Sequence, residues 1–161
     1  EVLFDQYHQR VPFIRGLRDS TVRMGSNRGY IKTILGRKCR FNLYEPFDRR
    51  ELPLPLDEAM EAYGGKLKRA YTYKAMNRLI QGSAADMTKK AMLDLHKEGL
   101  IAHTQVHDEL NISITDQAEC EKVIEIMRDC VELKVPNKVD AEIGTSWGDV
   151  KDYKVYFNES S

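Results

Sequence analysis

The sequence predicts an α+β fold in which antiparallel strands pack on long helices. Three stretches carry apolar residues at every third or fourth position, as amphipathic helices do: residues 1–27, about 67–97 and about 117–132. Two intervening stretches, residues 29–41 and 104–114, are rich in β-branched residues and are predicted to be strand pairs. A chain of 161 residues has the length of one ordinary domain with its own core.

Prolines and glycines divide these patterns. Pro12 is expected to break or kink the first helical stretch into two helices, or to cap the start of the second. Residues 42–65 contain three prolines and end in a Gly-Gly pair, so we predict an irregular, exposed insertion here. Within this insertion, a short helix from Asp57 to Tyr63 is predicted, with Asp57 as its N-cap.

The last third of the chain carries a further helix and a further strand. Asp116 is the predicted N-cap of the helix over residues 117–132, and residues 139–144 alternate as a strand does. The inward side of that helix is predicted to carry Ala118, Val123, Ile124, Met127 and Val131. Residues 153–161 carry little pattern and are expected to fray.

Charge is divided unevenly along the chain, although the net charge is zero. Residues 1–97 contain 19 Lys and Arg and 11 Asp and Glu, a net charge of +8, whereas residues 98–161 contain 6 and 14, a net charge of −8. A basic half joined to an acidic half is typical of a protein that holds a polyanion with one part and cations with the other. Chance segregation of surface charge is the alternative.

Membrane spans and cysteine-based sites are not predicted. No apolar run approaches the roughly 18–20 residues of a membrane span, and no signal segment opens the chain. Cys39, Cys120 and Cys130 have no Cys-x-x-Cys spacing, so they indicate neither a zinc site nor a disulfide framework. We expect free thiols in a reducing cytoplasm.

The helical stretch at 67–97 contains a patch of small residues that starts at Gly82. Gly inside a helix costs about 1 kcal/mol relative to Ala, so Gly82 is expected to permit the close approach of another helix or a nucleic-acid groove. Asn77 and Gln81 lie four residues apart and therefore on one helix face. Their amides can hydrogen-bond base edges in a minor groove, although ordinary surface polarity also explains them.

Residues 29–41 are predicted to form a β-hairpin with Gly36 in its turn. Arg37, Lys38 and Arg40 cluster just after that glycine. Three cations on a short hairpin can bind backbone phosphates without reading sequence. A charged edge strand that resists aggregation is the alternative for the same residues.

Three consecutive ionisable residues, His107, Asp108 and Glu109, interrupt the strand pair at 104–114. On a continuous strand, His107 and Glu109 would share one face and Asp108 would take the other. At a hairpin tip, both acids would instead reach water. A further possibility is a magnesium site, because Mg²⁺ takes oxygen ligands and usually needs only one or two carboxylates from the protein.

Three blocks of the chain, in order, resemble the family A DNA polymerases, the group of bacterial DNA polymerase I and its phage relatives. GYIKTILGR at residues 29–37 resembles the family's Gly-Tyr-Val-x-Thr-Leu-x-Gly-Arg hairpin. NRLIQGSAAD at residues 77–86 resembles its Asn-x-x-x-Gln-Gly-Thr-Ala-Ala-Asp helix, and QVHDEL at residues 105–110 is similar to its palm motif C. Residues 139–147 are similar to the family's closing segment.

This resemblance, which covers roughly residues 1–150 apart from residues 42–65, implies a fold and partners. Residues 1–161 are expected to be the C-terminal part of the polymerase palm and thumb-proximal region, and to act on primer-template DNA and a deoxynucleoside triphosphate (dNTP). The family's fingers and its first palm motif, which carries another metal-binding Asp, have no counterpart here. The expected location is the cytoplasm of a bacterial or phage-infected cell, with an organelle left open.

The resemblance also implies roles for single residues. Asp108 would bind the two catalytic Mg²⁺ ions, Glu109 would support that site as a further metal-binding residue, and His107 would position the primer terminus. Asn77 and Gln81 would contact the minor groove beside the nascent base pair. The other expected DNA contacts are Arg37, Lys38, Arg40 and Lys74.

Two departures from the family pattern limit what this chain can do. Where the family has an Arg one helical turn before the Asn of its helix motif, this chain has Tyr73, with Lys74 beside it. One carboxylate turn is also too little for a two-metal site, so the chain alone is expected not to polymerise DNA. It would be a fragment, or the small subunit of a split enzyme, completed by the rest of the polymerase.

Two other functions remain open at this point. One is a non-catalytic duplex DNA-binding module with a palm-like fold, for which Asp108 and magnesium would be immaterial. The other is a metal-dependent nuclease, which would need further carboxylates to converge on the turn. Asp140 and Glu142 are the nearby candidates for that role.

Overall fold

The computed structural model describes residues 2–159; Glu1, Ser160 and Ser161 lie outside the described residues. Its helices are α1 (Val2–Arg10), α2 (Phe13–Arg28), α3 (Leu56–Tyr63), α4 (Ala75–Lys97), α5 (Gln117–Asp129) and α6 (Tyr153–Glu159). Its strands are β1 (Tyr30–Lys32), β2 (Lys38–Arg40), β3 (Leu43–Pro46), β4 (Leu54–Pro55), β5 (Leu67–Arg69), β6 (Ala102–Val106), β7 (Glu109–Ile112), β8 (Glu142–Ser146) and β9 (Asp149–Asp152). None of these helices is both long and apolar enough to cross a membrane.

Across residues 2–159 the strands form four small antiparallel sheets, which confirms the mixed α+β class. β1–β2, β6–β7 and β8–β9 are two-stranded hairpins, and β4, β3 and β5 form a three-stranded sheet with β3 in the centre. A hairpin of two strands is marginally stable in water by itself, so each needs a packing partner.

The chain divides into two compact units, residues 1–83 and 84–161, and the boundary falls within α4. The first holds 16 Lys and Arg and 9 Asp and Glu, a net charge of +7. The second holds 9 and 16, a net charge of −7. The uneven charge along the chain therefore coincides with the division into what we call the basic unit and the acidic unit.

The first helical stretch is broken at Pro12, as predicted. α1 ends and α2 begins on either side of this proline, which is the residue preceding the first turn of α2. The fixed φ of proline suits a helix start, and its missing N–H is one that no helix start would use. α2 ends at Gly29, which has a left-handed φ of 75° and donates its N–H to the carbonyl of Gly25 at 3.0 Å.

The prediction of an irregular stretch at residues 42–65 is wrong. β3 pairs with β4 within this stretch and with β5 beyond it. α3 begins directly after Pro55, so Pro55 and not Asp57 is the N-cap. Pro46 and Ala59 are buried, so the stretch is not exposed throughout. Whether it is inserted relative to the family stays a prediction.

α4 begins at Ala75 and not near residue 67. Leu67–Arg69 form β5, which pairs with β3, and a 3₁₀ turn at Thr72–Lys74 leads into the helix. Pairing with a distant strand overrides the local helical period, as tertiary contacts commonly do. Tyr73 therefore lies in the 3₁₀ turn and not on the helix that carries Asn77.

In the acidic unit, α5 is capped by Asp116, as predicted. The Asp116 carboxylate accepts a hydrogen bond from the N–H of Glu119 at 2.8 Å. Two details differ from the prediction, since α5 ends at Asp129 and Ala118 is exposed. Cys120 is the buried residue of this helix.

The end of the chain is more regular than predicted. β8 begins at Glu142, later than residue 139, and pairs with β9. α6 then occupies Tyr153–Glu159, where the sequence pattern predicted fraying. This short helix contacts both strands of the β8–β9 hairpin, which gives that hairpin a packing partner.

The three cysteines, Cys39, Cys120 and Cys130, are free. Burial raises the pKa of the Cys120 thiol and of the Cys130 thiol. A raised pKa disfavours the thiolate, which is the reactive form of a cysteine side chain.

A small core holds the β1–β2 hairpin in the basic unit. Ile31 on β1, Phe41 after β2 and Ala75 at the start of α4 are buried against one another. Met24 of α2 and Leu79 of α4 pack on this cluster. The hairpin is therefore attached to the first turns of α4.

The attachment extends along α4 to Gly82 and Ser83. A Cβ at Gly82 would lie 2.9 Å from Cγ2 of Thr33, a buried residue in the β1–β2 loop. The Ser83 hydroxyl accepts a hydrogen bond from the N–H of Ile34 at 3.0 Å. The close neighbour of Gly82 is thus the β1–β2 hairpin, and the expectation of a helix or a nucleic-acid groove at this glycine is wrong.

Gly82→Ala is expected to lower the free energy of unfolding by up to about 2 kcal/mol, because an overpacking cost of about 1–3 kcal/mol exceeds a helix-propensity gain of about 1 kcal/mol. Thr33 cannot rotate away freely, since its hydroxyl accepts the N–H of Arg37 at 3.1 Å. Thr33→Ser removes the clashing methyl and keeps the hydroxyl. In that background, Gly82→Ala is expected to stabilise by about 1 kcal/mol, measured by denaturant unfolding. The same change in stability in both backgrounds would contradict this account of Gly82.

Candidate functional site

The β6–β7 hairpin turns through two residues, His107 and Asp108. Val106 and Glu109 form the last pair of the ladder on either side of them. His107 has a positive φ of 53°, whereas Asp108 does not have a positive φ. A positive φ at the first central residue alone is the pattern of a type II′ turn, which normally carries glycine there. His107 therefore holds a conformation that glycine would adopt with less strain.

The arrangement of His107, Asp108 and Glu109 follows from this turn. His107 and Asp108 belong to the turn and Glu109 opens β7, so the alternation expected for a continuous strand is wrong. All three residues are exposed. Water solvates both carboxylates at the tip, which avoids the cost of burying adjacent negative charges.

The side chain of Gln105 on β6 makes a hydrogen bond to the backbone of the turn. The amide nitrogen Nε2 of Gln105 donates a hydrogen bond to the carbonyl oxygen of His107 at 2.9 Å. That carbonyl belongs to the peptide that joins His107 to Asp108. The contact therefore acts on the peptide that carries Asp108.

The turn offers donors that suit a hard cation. Asp108 and Glu109 present carboxylate oxygens, and Mg²⁺ is commonly held by one or two carboxylates together with substrate phosphates. Within residues 2–159, no three His, Cys, Asp or Glu side chains come together as a set of metal ligands. The nuclease alternative requires Asp140 and Glu142 to join the turn in such a set, and they do not. The two carboxylates are chemically suited to Mg²⁺ and are, by themselves, fewer donors than its octahedral shell takes.

Asn77 and Gln81 lie on the first turns of α4 in the basic unit. Both are exposed, and their spacing of four residues places them on one face. Among the described residues, neither amide has a hydrogen-bond partner, so the donors and acceptors of both remain available to a ligand.

Arg37 is engaged with α4. Its Nη2 donates a hydrogen bond to the carbonyl of Gly82 at 2.9 Å. This satisfies part of the guanidinium within the basic unit and fastens the hairpin loop to the helix. The expected phosphate contact of Arg37 stays a prediction.

The other cations expected to bind DNA are exposed beside aromatic rings or on a strand. Lys38 Nζ lies 4.7 Å from the centroid of the Tyr30 ring, and Arg40 is exposed at the end of β2. Lys74 Nζ lies 5.0 Å from the ring centroid of Tyr71 and 5.7 Å from that of Tyr73. Cation–π contacts of this length orient a side chain and leave its charge accessible to phosphate.

Arg69 and Arg78 also hold the β1–β2 hairpin, and the sequence patterns did not predict this role. Arg69 donates to the carbonyl of Phe41 at 2.8 Å and lies 4.9 Å from the ring centroid of Tyr44. Arg78 donates to the carbonyl of Arg40 at 3.2 Å and lies 4.8 Å from the Phe41 ring. Their partners are 28 and 38 residues away in the chain, beyond the reach of sequence periodicity.

The residues singled out by the sequence fall into two sets. Asn77, Gln81 and the four expected cations belong to the basic unit, and the structure brings Arg37 onto the helix that carries both amides. His107, Asp108 and Glu109 lie together at one turn of the acidic unit.

Comparison with known proteins identifies relatives over nearly the whole chain. The model of DNA polymerase family A matches residues 1–149. A DNA-directed DNA polymerase of Pseudomonas phage M6 is 39% identical over 148 residues, which make up 92% of this chain and 19% of the relative. DNA polymerase I of Geobacillus stearothermophilus is 35% identical over 156 residues, 91% of this chain and 16% of the relative.

A solved structure is similar as well. The POL domain of Pol1 from M. smegmatis, in complex with DNA primer-template and dNTP, matches with a TM-score of 0.61 and 30% identity. The match covers 84% of this chain and 23% of that chain. This chain therefore spans about a fifth of the length of the polymerases that it matches.

His107→Gly is expected to leave the free energy of unfolding unchanged or to raise it by up to about 1 kcal/mol, because relief of about 1–2 kcal/mol of left-handed strain offsets the backbone entropy of glycine. His103→Gly is the matched control, since His103 is an exposed residue of β6 without a positive φ. This control also loses the 3.1 Å hydrogen bond between the His103 ring and the Ser113 hydroxyl, so it is expected to lower stability by about 1–2 kcal/mol. Denaturant unfolding that shows equal losses for both variants would contradict the left-handed turn.

Proposed function

Since this chain belongs to DNA polymerase family A, we propose that it is the C-terminal part of a template-directed DNA polymerase. It is present either as a fragment of a longer chain or as a separate subunit, and its β6–β7 hairpin belongs to the palm. The observation that carries the proposal is the exposed turn with adjacent carboxylates, in a chain that the family model matches over residues 1–149.

The reaction joins a nucleotide to a primer. The oxygen of the primer 3′-hydroxyl forms a bond to the α-phosphorus of the dNTP, and the hydroxyl proton passes to solvent. The bond between that phosphorus and the oxygen bridging to the β-phosphate breaks, and pyrophosphate leaves with the electron pair. Magnesium, when bound, activates the hydroxyl and offsets the negative charge that develops on the phosphates.

The turn residues would each contribute one part of this chemistry. Asp108 holds one side of the metal site through its carboxylate, and Glu109 supports that site from the adjacent position. His107 positions the primer terminus through its imidazole. The exposure of all three side chains supports this assignment, because DNA, nucleotide and metal must reach them from solvent.

The basic unit would hold the duplex. Asn77 and Gln81 hydrogen-bond minor-groove acceptors beside the nascent base pair, where acceptor positions are shared by all Watson–Crick pairs. Such contacts test the geometry of a base pair without reading its sequence. Lys38, Arg40, Lys74 and Arg37 contact backbone phosphates, in keeping with a net charge of +7 on this unit.

The rest of the polymerase completes the enzyme. Two magnesium ions between a primer and a triphosphate need more ligands than Asp108 and Glu109 supply. The partner segment would provide the remaining carboxylate and the residues that grip the dNTP. We place the assembled enzyme in the cytoplasm of a bacterial or phage-infected cell, where its DNA substrate is found.

Primer extension tests the assignment of Asp108. This chain alone is expected to give no synthesis, whereas the complete polymerase extends the primer in a magnesium-dependent reaction. Asp108→Ala in the complete enzyme is expected to lower the rate at least about a thousandfold, because the metal site supplies several kcal/mol of transition-state stabilisation.

Asp140→Ala is the matched control, since Asp140 is an exposed carboxylate that pairs with Lys138 at 2.7 Å. It is expected to keep the wild-type rate within about twofold. Robust synthesis by the lone chain or by the Asp108→Ala enzyme would overturn the proposal. Magnesium-independent duplex binding that Asp108→Ala leaves intact, with no synthesis, would favour the non-catalytic module.

Gln81→Ala is expected to slow extension about fivefold to tenfold, the equivalent of one hydrogen bond of about 1 kcal/mol, and to do so equally for the four correct base pairs. The measurement is single-nucleotide extension with each template base. Gln117→Ala changes an exposed glutamine on α5 and is expected to have no effect on this rate. If Gln81→Ala slowed extension opposite one template base alone, a sequence-independent contact of Gln81 with the minor groove would be contradicted.

A further inference from the structure

We propose that Gln105 is a positioning residue that sets the direction of the Asp108 carboxylate. It does so through the hydrogen bond from its Nε2 to the carbonyl oxygen of His107, at 2.9 Å. This inference rests on the proposed function of Asp108 and extends it to a residue that binds neither metal nor DNA.

The peptide between His107 and Asp108 transmits the effect. A peptide unit is planar and rigid, so a hydrogen bond to its carbonyl oxygen also fixes its nitrogen, which is the backbone nitrogen of Asp108. Holding that nitrogen restricts φ of Asp108, and therefore restricts the direction in which its Cα–Cβ bond points. Gln105 thus acts on Asp108 without touching its side chain.

This peptide has a competing orientation. Types I′ and II′ both have a positive φ at the first central residue, and they differ in whether the second central residue also has one. Rotation of the central peptide converts one turn into the other while the flanking strands stay paired. Asp tolerates the left-handed conformation that a type I′ turn would require at position 108. The observed turn has a positive φ at His107 alone.

The Gln105 hydrogen bond favours the observed orientation over its competitor. Glycine at the first central position would favour type II′ by itself, but this chain has His107 there. Because the imidazole is required at the primer terminus, this turn lacks the glycine that usually stabilises type II′. The hydrogen bond from the Gln105 amide stabilises the turn instead. Gln105 is paired with Leu110 in the ladder, so its own backbone is fixed.

Gln105→Met in the complete polymerase tests the proposal, since Met keeps the length and volume of Gln and removes the donor. Two measurements are made. A metal-free crystal structure of the variant is expected to show the His107–Asp108 peptide rotated or in two orientations. The magnesium concentration for half-maximal extension at saturating dNTP is expected to rise about tenfold, as for other residues that orient a metal ligand, while the KM for dNTP changes less than about twofold.

Gln117→Met is the matched control, because Gln117 also donates an exposed hydrogen bond of 2.9 Å, to Glu121 on α5. It is expected to match the wild type in both measurements. A second comparison uses the His107→Gly background, where glycine favours type II′ by itself. There Gln105→Met is expected to raise the magnesium requirement less than about threefold, a non-additive result that a general loss of stability would not produce.

The inference is overturned if the His107–Asp108 peptide of the Gln105→Met variant keeps its wild-type orientation, or if the magnesium requirement of this variant is unchanged. It is also overturned if Gln105→Met raises the magnesium requirement equally in the wild-type and His107→Gly backgrounds. Each of these results leaves the proposed function intact if Asp108→Ala still abolishes synthesis. Synthesis that survives Asp108→Ala would instead remove the proposed function, and this inference with it.

Discussion

Close packing between the β1–β2 hairpin and the first turns of α4 is the interaction on which the basic unit depends. A glycine at position 82 lets the loop at Thr33 lie within van der Waals contact of the helix, and Arg37 spans the same contact to the Gly82 carbonyl. Arg69 and Arg78 fasten the other end of the hairpin through main-chain carbonyls. With the hairpin on one side of α4, Asn77 and Gln81 remain exposed on the helix. Some arginines of this unit therefore hold the fold, while Lys38, Lys74 and Arg40 stay exposed, as the proposed phosphate contacts require.

A different constraint governs the acidic unit. Adjacent carboxylates repel each other and cannot be buried without a compensating cation, so they stand at an exposed hairpin tip. The tip has only two residues, which forces one of them into a left-handed conformation. His107 occupies that place where glycine would be less strained, and strained backbone of this kind is concentrated at functional sites. Carboxylates that are held in water by a short turn need little reorganisation to accept a metal ion. In the proposed function, the turn would provide only part of such a site, because two carboxylates are fewer ligands than two magnesium ions need.

Features that depend on a residue and its immediate neighbours in the chain could be predicted from the sequence. Pro12 separates two helices and Asp116 caps α5, because each acts on its immediate neighbours. The exposed tip at residues 107–109 follows in the same way from the cost of burying two acids. Contacts between distant residues could not be predicted. Residues 67–69 satisfy a helical period but pair with β3, and Arg69 and Arg78 gain their roles from carbonyls 28 and 38 residues away. The Gln105 hydrogen bond is local, yet only the left-handed φ of His107 shows what it holds in place.

The central claim is that the His107–Glu109 turn forms one side of the metal site. Its most direct test is metal-directed cleavage, in which a bound metal ion generates radicals that cut the backbone close to it. Fe²⁺ replaces Mg²⁺ in the complete polymerase bound to primer-template, and the short-lived radicals that it generates with ascorbate and peroxide cleave nearby backbone. Mass spectrometry of the fragments then locates the cuts. We expect cleavage at residues 107–109, lost in Asp108→Ala and retained in Asp140→Ala. Absence of cleavage at this turn, or cleavage that persists in Asp108→Ala, would contradict the claim.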